Sequence, residues 1–147
     1  MYSYFLWDEN IVETAYHIKD NNVKYELEKV DSTSDLGVIF DSTLSFRDHI
    51  QQKINKAYSI IGIIERNFTH MDAKTFISLY KTLVRPHVEY ANPVWSPYTK
   101  DDITEIEKVQ KRATTLVINV RKLCYTDRLK KLRLRTLKYR RLRGGHD

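Results

Sequence analysis

Cysteine is nearly absent: Cys124 stands alone in 147 residues, so no disulfide forms within the chain and no Cys-x-x-Cys zinc or redox motif can be built. Cys124 itself reads as a small, part-buried core residue. His17, His49, His70, His87 and His146 lack the paired spacing of a helical zinc site and read as surface or packing residues, so no metal site is expected from this chain alone. Long apolar runs are missing too. Stretches such as Ile60-Ile61-Gly62-Ile63-Ile64 fall far short of the roughly 20 residues a bilayer span requires, which argues against a membrane protein. The opening Met1-Tyr2-Ser3-Tyr4-Phe5-Leu6-Trp7 has neither a basic n-region nor a small-residue cleavage site, and Asp8 and Glu9 follow it. That is wrong for a secretory signal, and an intracellular protein is expected.

The hydrophobic fraction of 41% and the charged fraction of 30% are near the averages for folded globular chains, which excludes wholesale disorder. What stands out is where acids are scarce. Residues 1–50 carry four bases and ten acids (net −6), residues 51–110 eight and seven (net +1), and residues 111–147 thirteen and two (net +11). A tail this basic is the electrostatic footprint of a polyanion partner, although a solvated basic helix face gives the same pattern.

The fold expected from these patterns is mainly α: an N-terminal β-hairpin, then a small helical bundle and basic C-terminal helices. Val23, Tyr25 and Leu27 alternate with Lys24, Glu26 and Glu28, and Asp31-Ser32-Thr33-Ser34 turns the chain into a second strand, Leu36-Gly37-Val38-Ile39-Phe40. Gly37 inside a strand implies a geometric role such as a bulge or a close backbone approach. Phe46, Ile50, Ile54, Ala57, Ile61, Ile64 and Phe68 then step by four and three, the stripe of an amphipathic helix, with Ser45 and Asp48 as its capping box.

A second helix starts at Asp72 as N-cap and carries Phe76, Leu79, Tyr80 and Leu83 on one side until Arg85-Pro86 interrupts it. An ordered connector follows, pinned by the rings of Tyr90 and Trp95. A third helix opens around Thr99 to Asp101, where Asp101, Asp102 and Glu105 complement its positive end. Ile103, Ile106, Val109, Ala113, Leu116 and Val117 form its stripe. From Tyr125 on, leucines alternate with bases, compatible with two short basic helices broken near Arg133.

The segment from Lys29 to Ile50, read as Lys29-Val30-Asp31-Ser32-Thr33-Ser34-Asp35-Leu36-Gly37-Val38-Ile39-Phe40-Asp41 and onward, resembles the region just after the catalytic palm of non-LTR (LINE, jockey/CR1-like) retrotransposon reverse transcriptases. Leu79-Tyr80-Lys81-Thr82-Leu83-Val84-Arg85-Pro86-His87-Val88-Glu89-Tyr90-Ala91-Asn92-Pro93-Val94-Trp95 is similar to that family's Tyr-Lys, Leu-Val-Arg-Pro, Glu-Tyr-Ala and Val-Trp block. Ile106-Glu107-Lys108-Val109-Gln110-Lys111-Arg112-Ala113 resembles its next helix, and Tyr125-Thr126-Asp127-Arg128-Leu129 with Arg140-Arg141-Leu142-Arg143-Gly144 its ending. The resemblance covers about residues 23–146.

By that resemblance, residues 1–22 form a weakly matched N-terminal segment, 23–44 a hairpin like the palm–thumb junction, 45–121 a thumb-like helical domain and 122–147 a basic C-terminal segment. Asp35, Leu36, Gly37 and Val38 would correspond to the junction strand close to the primer end. Helices with apolar faces inward and bases outward hold phosphates without reading sequence, which makes Lys111, Arg112, Lys130, Lys131, Arg133 and Arg135 the candidate contacts to an RNA/DNA duplex.

The family's catalytic carboxylates, which hold Mg2+ ions, lie upstream of the matched region, and Asp101-Asp102, the only adjacent aspartates, belong at a helix N-terminus. No catalytic residue, cofactor or small-molecule substrate is therefore expected, and the chain reads as a piece cut at both ends, unable to polymerise by itself, with an exposed sheet edge prone to association. A domesticated nucleic-acid-binding or protein-interaction module is the alternative. An active enzyme would need its carboxylates from another chain.

Overall fold

A computed structural model describes residues 15, 17–20, 23–26, 28, 30–90, 92–95, 97 and 99–144. Most of residues 1–22, along with Leu27, lies outside them. The chain divides into two compact units, residues 1–45 and 46–147. The first holds β-hairpins and the second helices, so the fold is mainly α, with β structure at its N-terminal end.

Among its described residues the first unit contains two antiparallel strand pairs where the alternation pattern implied one hairpin. β1 (His17–Asp20) pairs with β2 (Val23–Glu26), and β3 (Ser32–Asp35) pairs with β4 (Val38–Asp41). The stretch expected to turn the chain, Ser32-Thr33-Ser34, is itself a strand. Its turn is Leu36-Gly37, both at positive φ (49° and 76°). Two consecutive left-handed residues match the right-handed twist of the flanking strands, the geometry for which glycine is favoured. Gly37 therefore serves a tight turn and not a bulge, and Asp35 to Val38 are a hairpin tip, not the interior of a strand.

Past β4, the Asp41 carboxylate gathers the chain. Its Oδ1 accepts from Thr43 N (3.0 Å), Thr43 Oγ1 (2.7 Å) and Ser45 N (2.9 Å), and its Oδ2 accepts from Ser45 Oγ (2.8 Å). Ser45 is thus committed to Asp41 and does not cap the next helix. The N-cap is Phe46, at φ 55° and with no side-chain cap.

In the second unit, α1 (Arg47–Asn67) buries His49, Ile50, Ile54, Ala57, Ile61 and Ile64, the expected stripe. Phe68 ends it and stands exposed. Asp72 caps α2 (Ala73–Leu79) by accepting from Lys74 N and Thr75 N. Pro86 does not stop the helix that follows. A π-helical turn over Tyr80–Val84 intervenes, in which Arg85 N bonds to Tyr80 O, five residues back, and α3 (Arg85–Glu89) continues. The wider turn comes just before the residue that has no N–H to give. It also shifts the inward face by one position. An ordinary helix would bring Leu83 inward after Phe76 and Tyr80, whereas the buried series is Phe76, Tyr80, Val84 and Val88, with Leu83 exposed.

A single turn, α4 (Asn92–Trp95), carries Trp95 into the core. Its indole N–H donates to Tyr90 O, and its ring meets His49 edge-on at 5.1 Å. The Tyr90 ring, expected to be buried as well, is half exposed under Lys53 Nζ at 5.3 Å. α5 (Lys100–Ala113) starts with a reciprocal cap: Asp102 N donates to Thr99 Oγ1, and the Thr99 hydroxyl donates to the Asp102 carboxylate. The α-helix ends at Ala113, earlier than the stripe implied, and Thr114–Leu116 and Ile118–Val120 are 3₁₀ turns. Extended backbone at Val117 between them pairs with Met71 in a parallel bridge.

Two basic helices close the unit, α6 (Tyr125–Leu132) and α7 (Leu137–Leu142). The break falls at Arg133, whose φ of 53° ends α6 in a left-handed cap, with Leu134 N bonded back to Leu129 O at 2.9 Å. α1 packs on α3 and α5, and α5 on α7. Cys124, ahead of α6, is exposed and not a core residue; its thiol donates to Asp127 Oδ2 at 3.1 Å.

Candidate nucleic-acid interface

The bases of the C-terminal third separate into two populations. Arg128 and Arg140 are buried, and Arg141 is partly so. Lys111, Arg112, Lys130, Lys131, Arg133 and Arg135, the six residues expected to face a polyanion, are all exposed. All six belong to the helical unit, at the end of α5 and around α6.

Helix geometry and cap chemistry produce that separation. On α5, Ile106, Val109, Gln110 and Ala113 face inward, so Lys111 and Arg112 turn outward. Arg112 Nη2 meets Glu65 Oε2 on α1 at 2.9 Å, an exposed pair that contributes little to stability. On α6, Arg128, Leu129 and Leu132 face the core and leave Lys130 and Lys131 outside. The left-handed turn at Arg133 then reverses the chain before Leu134 and Leu137 return to the core. Lys111, Lys130, Lys131, Arg133 and Arg135 have no ion pair among the described residues. Five unneutralised cations on one unit produce a field that attracts phosphates.

Of the two buried arginines, Arg140 bridges distant elements of the unit. Arg140 reaches Glu89 through Nε–Oε1 at 2.7 Å and Nη2–Oε2 at 3.4 Å, and Arg85 Nε lies 3.6 Å from the same Glu89 carboxylate. Beside them, Tyr80 Oη donates to Gln110 Oε1 (2.7 Å), and Gln110 Nε2 donates to Arg135 O (2.9 Å). Glu107 accepts from the Tyr125 hydroxyl and from Lys138 N, the latter at 3.2 Å.

Burial first, then the Glu89 charge, pushes the Tyr80 phenol far above its ordinary range. Burial, followed by the hydrogen bond to Glu107, does the same to Tyr125. Both therefore stay protonated as donors. Burial likewise lowers the Arg141 guanidinium from its ordinary value, opposed by Glu107 and Glu89.

The network joins the sequence blocks. Tyr80, Arg85 and Glu89 come from one, Glu107 and Gln110 from the next, and Tyr125 and Arg140 from the last. Sequence patterning treats Arg128 and Arg140 as more of the same basic alternation. The position of Arg128 one turn before Leu132 carries a faint sign of burial, and nothing local identifies Arg140.

Asp35, Leu36, Gly37 and Val38 belong to the other unit, at the tip of the second hairpin. Val38 is buried and Leu36 is 83% exposed. Asp101 and Asp102 sit in the first turn of α5, where Asp102 is engaged by Thr99. Among the described residues no group of three or more His, Cys, Asp or Glu is arranged to hold a metal, and no helix is long and apolar enough to cross a membrane.

Comparison with protein-family models, curated proteins and solved structures finds no match to this chain.

Proposed function

We propose that this chain corresponds to the region following the catalytic palm of a non-LTR retrotransposon reverse transcriptase and acts as a thumb-like, non-catalytic unit that binds a template–primer duplex through its phosphates. The observation that carries this reading is the division of the bases. Lys111, Arg112, Lys130, Lys131, Arg133 and Arg135 are exposed, five of them without an acid, while the residues of the resembling blocks interlock in the core. A rigid scaffold with outward cations supports phosphate contacts that position a duplex without reading its sequence.

The reading assigns no polymerase step to the chain. That chemistry requires carboxylates holding two metal ions, and the adjacent pair Asp101-Asp102 is engaged in starting α5.

Binding of a labelled RNA–DNA hybrid, measured against salt, tests the proposal. Deleting α6 and α7 would remove Arg140 from Glu89 and uncover the core, so charge substitutions are the better comparison. The chain is expected to show a log–log salt slope of roughly −4 to −5, for about five phosphates. Replacing Lys111, Lys130, Lys131 and Arg133 by Gln is expected to remove about 3.5 units of that slope. Folded protein that does not bind at low salt overturns the reading and favours a protein-interaction module.

A further inference from the structure

The outer side of α7 carries a cluster of which duplex phosphate binding uses only Arg135. Tyr139 is partly exposed, and two guanidiniums converge on its ring: Arg135 Cζ lies 4.8 Å from the ring centroid and Arg143 Cζ 5.7 Å. Arg143 Nη1 also donates to Tyr139 Oη at 2.9 Å. Arg135 precedes the Thr136 N-cap and Arg143 follows the last helical residue, so the two arginines fold back onto the ring from opposite ends of the helix. Thr136 fixes the base of the cluster by accepting from Tyr139 N at 3.1 Å. Leu142, 79% exposed, stands on the same side one turn beyond Tyr139.

Two like charges gathered on one phenol repel each other, and neither is in an ion pair among the described residues. Between Arg128 and Gly144 the sequence has no Asp or Glu. Arg140, by contrast, is taken up by Glu89. The missing partner is therefore an anion. Planar guanidiniums held against a ring also offer flat faces on which another π-system stacks, and Leu142 adds an apolar surface beside them. A ligand that alternates phosphates with flat bases, with those bases not already stacked in a duplex, satisfies both demands.

We infer that Arg135, Tyr139, Leu142 and Arg143 form a binding site for single-stranded nucleic acid, with bases stacking on the guanidinium–phenol cluster and a phosphate between the two arginines. The inference rests on the nucleic-acid reading above and adds a second, structurally distinct contact to it. A duplex presents its phosphates but not its base faces, so the site favours an unpaired strand or overhang.

The test measures affinities of the full chain for a non-self-complementary RNA 12-mer, for its DNA counterpart and for the hybrid duplex. Tyr139→Leu removes the ring and keeps the charges. Arg143→Lys keeps the charge and removes a guanidinium plane from the ring. Each is expected to weaken single-strand binding about tenfold, as loss of one stacked base does, and to change duplex binding less than about twofold. The RNA and DNA arms show whether the 2′-hydroxyl contributes.

Unchanged single-strand affinity in both variants, with native circular dichroism, overturns the inference and leaves the duplex reading standing. So does an equal fall for strand and duplex. Tyr139-dependent single-strand binding without duplex binding overturns the duplex reading alone. A folded chain that binds none of the three probes overturns both.

Discussion

Arg140 on α7 holds Glu89 at the end of α3 across 51 positions of sequence, with Nε 2.7 Å from Oε1. Arg140 is only 4% exposed. This pair fastens the basic C-terminal helices to the middle of the helical unit, and it draws one arginine out of the field of cations around it.

Breaking the pair from either side leaves a charge in a poorly solvated place. Glu89→Leu alone and Arg140→Met alone are each expected to destabilise the chain by about 2–4 kcal/mol, while the double variant recovers most of the loss. Urea midpoints for the four proteins measure the coupling. Additive losses would mean that the pair contributes no specific stabilisation.

Two neighbouring isoleucines on α1 test its register. Ile61 is 2% exposed and Ile63 is 47% exposed. Ile61→Ala is expected to cost about 2–4 kcal/mol through lost burial and the cavity left behind, and Ile63→Ala to stay within about 0.5 kcal/mol. Comparable losses in chemical denaturation would contradict the orientation of the helix.

At the tip of the second hairpin, Leu36 occupies a left-handed conformation that leucine disfavours, next to Gly37, which suits it. Leu36→Asn is expected to stabilise the turn by about 0.5–1 kcal/mol, and Gly37→Val to destabilise it by at least as much. Amide exchange protection in β3 and β4 reports both effects; an unprotected hairpin after Leu36→Asn would contradict the turn.

His49 is buried against Trp95, and burial first, then Lys53, holds its imidazole below the ordinary 6.5. Burial, with Lys53 and Lys56, lowers His87 in the same direction. The unfolded chain therefore binds these protons more readily than the folded one. Their contribution is complete above the unfolded value and is lost as pH falls through about 6.5 toward the lower folded values. Stability measured at about pH 5 is expected to be below that at about pH 7, and His49→Leu combined with His87→Gln is expected to shrink that difference. An unchanged difference in the double variant would assign the pH dependence to other groups.

Short-range physics made much of this protein legible in its sequence. The stripe of α1 follows from steps of three and four residues, the start of α2 from Asp72, and the start of α5 from Thr99 and its acids, because a helix and its caps are set by residues a turn apart. Exposure of Lys111, Arg112, Lys130 and Lys131 was readable for the same reason: each lies off the apolar face of its own helix.

Strand pairing, helix continuity and charge pairing were decided elsewhere. Alternation at Val23 and Tyr25 identifies a strand without naming its partner, and pairing with His17–Asp20 is a choice among competing registers. Pro86 reads as a stop, yet a π-helical turn accommodates it and brings Val84 into the core in place of Leu83. Ser45 reads as a cap, yet its hydroxyl bonds to Asp41.

The arginines mark the boundary most clearly. That the C-terminal third is densely basic follows from composition alone. That Arg140 lies buried on Glu89 while Arg135 and Arg143 stay outside on Tyr139 follows from packing between distant segments. Burying a guanidinium requires a carboxylate held at hydrogen-bonding distance, and that carboxylate is supplied by a helix 51 residues away.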